Sequence, residues 1–286
     1  MKINAYILAA DPAWIESSVL SYYSSVERIV VSFDQDGRGW TGAPIRVDEC
    51  LRRLKAIDTA GKMQFVPGRY ARTGHSPIDN DTFQRQEALR HASEGADWVL
   101  QLDTDEIVGN ADALIDRLAD EVPREFAAVD WPMRTFFQRL PDGRFLEVCT
   151  LLRGPVGSYP GPIAVRPGTL LRHARQTDAP VFRYDMRSRD TDPAAGSRVV
   201  HRVIDESAAI LHMSWVRSRA EIEGKLQAWG HSKDFDWRRY VDEVWEAAPR
   251  KWWRMFRFHP MVGRWWPALR PVDVARAHPA VTKEVA

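Results

Sequence analysis

The chain has 286 residues, 44% hydrophobic and 28% charged, with 40 basic against 39 acidic residues and a formal net charge of +1. That balance excludes a disordered polyelectrolyte and a wholesale nucleic-acid binder, and the length suits one large α/β domain with a C-terminal appendage. Cys50 and Cys149 are the two cysteines, which gives no disulfide framework or thiolate metal cluster and suits a reducing cytoplasm.

The opening INAYILAA reads as a continuous apolar strand of the kind buried on both faces of a parallel sheet. It meets Asp11 and Pro12 too soon to be a signal peptide, and no later stretch is apolar enough to span a bilayer. Asp11-Pro12 supplies an N-cap and a first-turn proline, so a helix is expected to follow, with Ile15, Val19 and Tyr22 or Tyr23 on one side. RIVVSF is a second strand, ending in Asp34 and the polar turn DQDGRGWTG, and the three elements form a βαβ unit. Residues 47 to 60 read as helix and QFVP as a short strand. Asp81 and Gln84 have capping-box spacing for a helix ending near Gly95. WVLQLDTDEIV then runs a strand into Asp103, Asp105 and Glu106. Asn110 caps a helix carrying Leu114, Ile115 and Leu118, and AAVDWPM is a further strand.

Acids at the carboxyl ends of strands in repeated βα units lie at the sheet edge where ligands bind. Asp34, Asp36, Asp103 and Asp105 all fall there. A pair at i and i+2 can address one cation from adjacent directions, and oxygen ligands favour Mg2+ or Mn2+, whose coordination shell is commonly completed by substrate phosphates. An EF-hand loop beginning at Asp103 fails, because Val108 and Leu114 occupy the positions that need Gly and Glu. A haloacid-dehalogenase-like phosphatase, with Asp103 as nucleophile and Asp105 as acid/base, is the alternative enzyme; a non-catalytic sugar-nucleotide or glycan-binding protein is the alternative outside catalysis.

Two segments carry a family resemblance. YILAADPAWIESSVLSYYSSVERIVVSFDQDGRGWTG and FQRQEALRHASEGADWVLQLDTDEI resemble the opening strand-helix-strand and the arginine-bearing helix with DxD strand of GT-A fold glycosyltransferases, similar to family two and relatives with a DxDE motif. The resemblance implies a Rossmann-like, mostly parallel central sheet flanked by helices. It implies a glycosyltransferase domain over residues 1–235, with a nucleotide-sugar half (1–110) and an acceptor half (111–235), and a helical, Trp-rich extension over 236–286. It further implies that Ala9, Asp11, Asp34, Arg85 and Asp103 bind a nucleotide-diphosphate sugar, and that Asp103 and Asp105 hold Mn2+ or Mg2+ with the diphosphate. The family's turn glycines near the second strand are absent, and Gln86 stands where Asn often follows the helix arginine.

Downstream, ILHMSWVRSRAEIEGKLQAWGHS places His212 after an apolar strand and Ser218 with Glu221 as a capping box. By resemblance His212 completes the metal shell, and Lys225, one turn beyond Glu221, neutralises the diphosphate leaving group. His231 stands at the helix end, where the dipole favours a positive charge. An inverting transfer to a glycan, lipid-linked or small-molecule hydroxyl needs a base. Glu147, on the strand FLEVCTLLRG, is taken first, with Asp185, Asp205 and Glu206 also open. Arg166 in PIAVRPGTLLRH is assigned a structural ion pair. Between Pro249 and Pro271, Trp252, Trp253, Trp265 and Trp266 alternate with Arg250, Lys251, Arg254, Arg257, Arg264 and Arg270, and no acid intervenes. This composition suits either packing over the catalytic domain or peripheral contact with the inner face of a membrane by an otherwise cytoplasmic protein.

Overall fold

The computed structural model describes residues 1–186, 199–231, 233–261 and 265–274; Arg264 lies outside them. In chain order, β1 (Ile3–Leu8), α1 (Ile15–Leu20), β2 (Arg28–Asp34), α2 (Val47–Ile57), β3 (Met63–Gly68), α3 (Pro77–Ala92) and β4 (Trp98–Gln101) alternate strand and helix. After β5 (Glu106–Ile107) and α4 (Ala111–Asp120) come β6 (Ala128–Asp130), β7 (Met133–Arg139), β8 (Phe145–Cys149), β9 (Ala164–Val165) and β10 (Val181–Asp185). The described chain continues with β11 (Arg202–Val203), β12 (Ile210–His212), α5 (Arg219–Ala228), α6 (Trp237–Tyr240), α7 (Ala248–Lys251) and β13 (Ala268–Val272).

The large sheet has the order β11-β10-β6-β9-β4-β1-β2-β3. All its pairs are parallel except those of β9, which runs antiparallel between β4 and β6. Wholly buried strands such as β1 and β4 need apolar cover on both faces. Ile15 and Val19 of α1, Cys50 and Leu54 of α2 and Leu114 and Leu118 of α4 supply one side. Ala88, Leu89 and Ala92 of α3 supply the other. The expected mostly parallel sheet flanked by helices is therefore present. Its order 3-2-1-4 reverses direction between β1 and β4, and such a reversal opens a crevice at the carboxyl ends of the two strands.

Some local expectations shift. α1 starts at Ile15 without a side-chain cap, and Asp11 instead accepts from Ala13 N at 3.0 Å, closing the turn before the helix. α3 is capped by Ser76 with Asp79 in a reciprocal box, one turn ahead of the expected Asp81 and Gln84, which lie buried inside the helix. Ser76 wins because Pro77 beside it needs no hydrogen-bond acceptor at the first helical position. The caps at Asn110 and Ser218 form as expected. Arg166 makes no ion pair among the described residues: it donates to Phe126 O and stacks over Trp98.

A second sheet, β13-β8-β7-β12-β5, extends from the turn after β4. Among the described residues after 235 the helices are short, and β13 pairs antiparallel to β8. Tyr240, Val241, Trp245, Met255, Phe258, Trp266 and Leu269 share one apolar cluster with Phe137, Val148, Trp215, Ile222 and Leu226. Aromatic burial of this kind, about 1.5–3 kcal/mol for each large side chain, favours the packing reading for much of the Trp-rich segment. No helix among the described residues is long and apolar enough to cross a membrane.

Candidate active site

A cleft of about 940 Å³ opens over the carboxyl ends of β1 and β4 and continues along the second sheet and α5. Its floor is the turn that follows β4. Ser18 of α1 places its hydroxyl within 3.0 Å of Asp103 O and 2.8 Å of Glu106 O, and Ser21 Oγ accepts from Val108 N, so α1 holds the turn from below. β5 then pairs antiparallel with β12, setting His212 opposite Glu106, and Met213 N donates to Asp105 O at 2.8 Å. This pairing, across more than a hundred residues of chain, brings the DxD turn and the His segment together.

Asp105 is the centre of the constellation. Its Oδ2 accepts from Lys225 Nζ at 2.7 Å and from Arg217 NH2 at 2.8 Å, while Oδ1 lies 3.7 Å from His212 Nε2. Burial would raise its pKa, but Lys225, Arg217 and then His212 outweigh that and hold it well below the usual carboxylate range. Lys225 is anchored by Ser214 as well, and burial, followed by the neighbouring Arg217, lowers its pKa. Arg217 links the two strand ends, because the same guanidinium reaches Asp11 at 2.8 Å. Burial likewise acts to raise Asp11, and Arg217 and Lys225 lower it on balance. His212 has its pKa lowered by burial, which Asp105 partly offsets, so its imidazole is neutral near pH 7.

Asp103 is held differently. Arg85 NH1 is 2.9 Å from its Oδ1 and NH2 donates to Oδ2 at 3.2 Å, while Arg85 Nε binds Asp81 at 2.6 Å. Glu106 is wholly buried: it accepts from Asp103 N at 3.0 Å and takes both terminal nitrogens of Arg175, at 2.6 and 2.9 Å. Its part is to close the turn that aims Asp103 and Asp105.

Ala9, Asp11, Asp34, Arg85, Asp103, Asp105, His212 and Lys225 thus all line one cleft. Asp34 is already committed, accepting from the backbone N–H groups of Asp36, Arg38 and Tyr70, so it shapes the turn after β2. Glu147 must be corrected. It lies outside the cleft, fully buried between Arg134 Nε at 2.5 Å and Arg270 Nε at 2.8 Å, because alternation along β8 turns its neighbour Val148 to the cleft and Glu147 away. Asp185, Asp205 and Glu206 do not line the cleft either. The expected metal set also changes. No group of three His, Cys, Asp or Glu among the described residues is placed to hold a metal ion, since Arg85 occupies Asp103. Asp105 Oδ1 and His212 Nε2 remain, an acid oxygen and an imidazole nitrogen 3.7 Å apart.

The sequence reading missed Arg217 and Arg175. Arg217 had one visible signal, its place between His212 and the cap Ser218; Arg175 had none, arriving on a loop whose His173 and Ala174 have positive φ of 45° and 67°. The far wall joins Trp265, Trp266 and His231, which the sequence had singled out without placing them in the cleft, to Trp215 and Trp229, which it had not. There His231 Nδ1 stands 2.6 Å from Asp234 Oδ2, and Trp229 packs edge-on against its ring.

No family profile and no curated protein matches the chain. Among solved structures it is similar to the mannosyltransferase PcManGT from Pyrobaculum calidifontis in complex with GDP-Man and Mn2+, at 18% identity over 46% of this chain and TM-score 0.34; this chain spans only 36% of that protein. It is also similar to an active-site mutant of LgtC, at 13% identity, covering 79% of this chain and 95% of that one, with TM-score 0.41. A third is a nucleotidyl transferase from Methanothermobacter thermautotroptrophicus, at 16% identity over 49% of this chain and 63% of that one, with TM-score 0.30.

Proposed function

We propose that the chain is a glycosyltransferase that moves a sugar from a nucleotide-diphosphate donor to an acceptor hydroxyl. The observation that carries this reading is the meeting of Asp105, His212, Arg217 and Lys225 at the switch point between β1 and β4. Crevices of this type take nucleotides, and a diphosphate leaving group needs fixed positive charge rather than an acid. Lys225 and Arg217 supply that charge from rigid positions, Lys225 on a capped helix and Arg217 tied to two backbone carbonyls, Met213 O and Ser214 O. Asp105 and His212 suit a divalent cation such as Mn2+ or Mg2+, which would add charge neutralisation at the diphosphate. Arg85 and Asp11 flank the space for the donor, and tryptophans of the far wall border the same cleft.

With Glu147 removed, His231 is the group best arranged to take the acceptor proton. Asp234 accepts from Nδ1–H, which fixes the tautomer and leaves the Nε2 lone pair as the base. Inversion follows if the acceptor enters from that wall. The phosphatase reading has less support, because both oxygens of Asp103 face Arg85, which immobilises the carboxylate instead of freeing it for attack.

The test is thermal unfolding with nucleoside diphosphates, with and without Mn2+, followed by donor hydrolysis. At about a hundredfold excess over Kd the ligand stabilises by about 2.7 kcal/mol, a rise of about 5 °C in a domain of this size. The rise is expected to need the metal and to vanish in Asp105→Ala and His212→Ala. Stabilisation by inorganic phosphate alone would point to the phosphatase, and wild-type donor hydrolysis in both variants would refute the site.

A further inference from the structure

A short turn and a stretch of the C-terminal segment form an exposed patch with no role in the cleft. After β8, Thr150 to Arg153 make a tight turn: Arg153 N donates to Thr150 O, Thr150 N to Gly154 O, and Gly154 N to Thr150 Oγ1. The two central residues are Leu151 and Leu152, and Leu152 is 94% exposed. Surface turns ordinarily carry Gly, Asn, Asp, Ser or Pro there, since these residues favour the turn backbone or bond to it, and two leucines do neither. Arg153, with φ of 62°, ties the turn to the C-terminal segment. Its side chain donates to Leu269 O and Trp253 O, and its guanidinium lies over the rings of Trp252 and Phe256. Trp253 and Phe256 are each about half exposed beside it, at 49% and 53%.

Four exposed cations flank these side chains, and Lys251 Nζ also donates to Glu243 O at 3.4 Å. Arg250, Lys251, Arg254 and Arg257 are all exposed, and none forms an ion pair among the described residues. Elsewhere on this surface cations find acids readily: Arg219 alone meets Glu223, Asp242 and Glu246. An apolar tip beside uncompensated cations matches the order of a bilayer surface, acyl chains beneath anionic headgroups.

We propose that Leu151, Leu152, Trp253 and Phe256, with Arg250, Lys251, Arg254 and Arg257, form a docking surface for an anionic lipid membrane. The apolar residues enter the interface and the guanidinium and ammonium groups meet headgroup phosphates, their stems lying along the apolar boundary. The surface is assembled by the fold, since its parts lie about a hundred residues apart and meet through Arg153. From Phe256 the chain runs directly into His259, Met261, Trp265 and Trp266 of the cleft wall, so docking would hold that wall near the lipid surface. The proposal stands independently of the transfer chemistry.

The full chain is mixed with vesicles of phosphatidylcholine alone or phosphatidylcholine with phosphatidylglycerol, and sedimented. Pelleting is expected with the anionic vesicles only, weakened by high salt, and reduced about tenfold or more in Leu151→Ser/Leu152→Ser, whose exposed sites leave the melting temperature unchanged. Because Cys50 and Cys149 are both buried, Leu152→Cys can carry an environment-sensitive fluorophore, whose emission should shift blue on anionic vesicles. Equal pelleting of wild type and the double variant, or no pelleting of wild type, overturns the proposal. A blue shift that grows with protein concentration in the absence of vesicles overturns it too, assigning the patch to a second copy of the chain.

Discussion

Two acids in this molecule are each gripped by two cations, and they have opposite meanings. Glu147 lies between Arg134 and Arg270, sealed between strands with none of its side chain exposed. Asp105 lies between Arg217 and Lys225 at comparable distances, but one of its oxygens faces His212 and the group borders the cleft. In the first cluster the cations lie outside the cleft, and Arg270 answers a second acid, Glu206, at 3.6 Å. In the second, the same cations can also meet an incoming anion. An ion triad by itself therefore says little about function, and access to a cleft at a strand switch point is what separates the two.

Three experiments break or sharpen this comparison. The largest effect is expected at the Glu147 cluster: Glu147→Ala leaves Arg134 without its acid and Arg270 with the more distant Glu206, and should cost about 3–5 kcal/mol of stability, read by chemical denaturation. Nucleotide binding by the folded fraction should be unchanged; lost binding at full stability would return Glu147 to the active site. At the open cluster, Lys225→Ala leaves Asp105 paired with Arg217, so stability should change little while donor turnover falls about a hundred- to a thousandfold. A collapse of stability with turnover intact would make the two clusters equivalent. The smallest effect is acid sensitivity in the cleft wall. Burial, with His231 nearby, pushes His259 down from 6.5 to about 4, and its Nδ1 accepts from Met261 N, which requires the neutral ring. Above pH 6.5 both folded and unfolded chains hold this ring neutral. As pH falls from 6.5 towards about 4 the unfolded chain takes up a proton that the folded chain resists, so stability is lost across that window and the slope ends below it. Melting temperature against pH should show this limb in the wild type and a flatter one in His259→Asn; parallel limbs would mean another group is responsible.

The alternation of buried apolar runs with capped helices made the first four strands, their order in the chain and the acids at their ends readable, because these features depend on local pattern. The helix α5 was readable as well, since Ser218 and Glu221 form its capping box, whereas Lys225 was singled out by the family resemblance. The base was not. Period-two alternation says that Glu147 and Val148 face opposite ways, yet nothing local says which face of β8 meets the cleft.

The sequence alone thus determined the α/β alternation, the acid-rich end of β4 and the helix that carries Lys225, all consequences of interactions within a few residues. Only the tertiary structure decided which cations stand against which acids. Arg217 reaches Asp105 across 112 positions and Arg175 reaches Glu106 across 69. It also decided that Leu151 and Leu152 share a surface with Trp253 and Phe256. Such pairings depend on strand order and loop path, and no local periodicity encodes either.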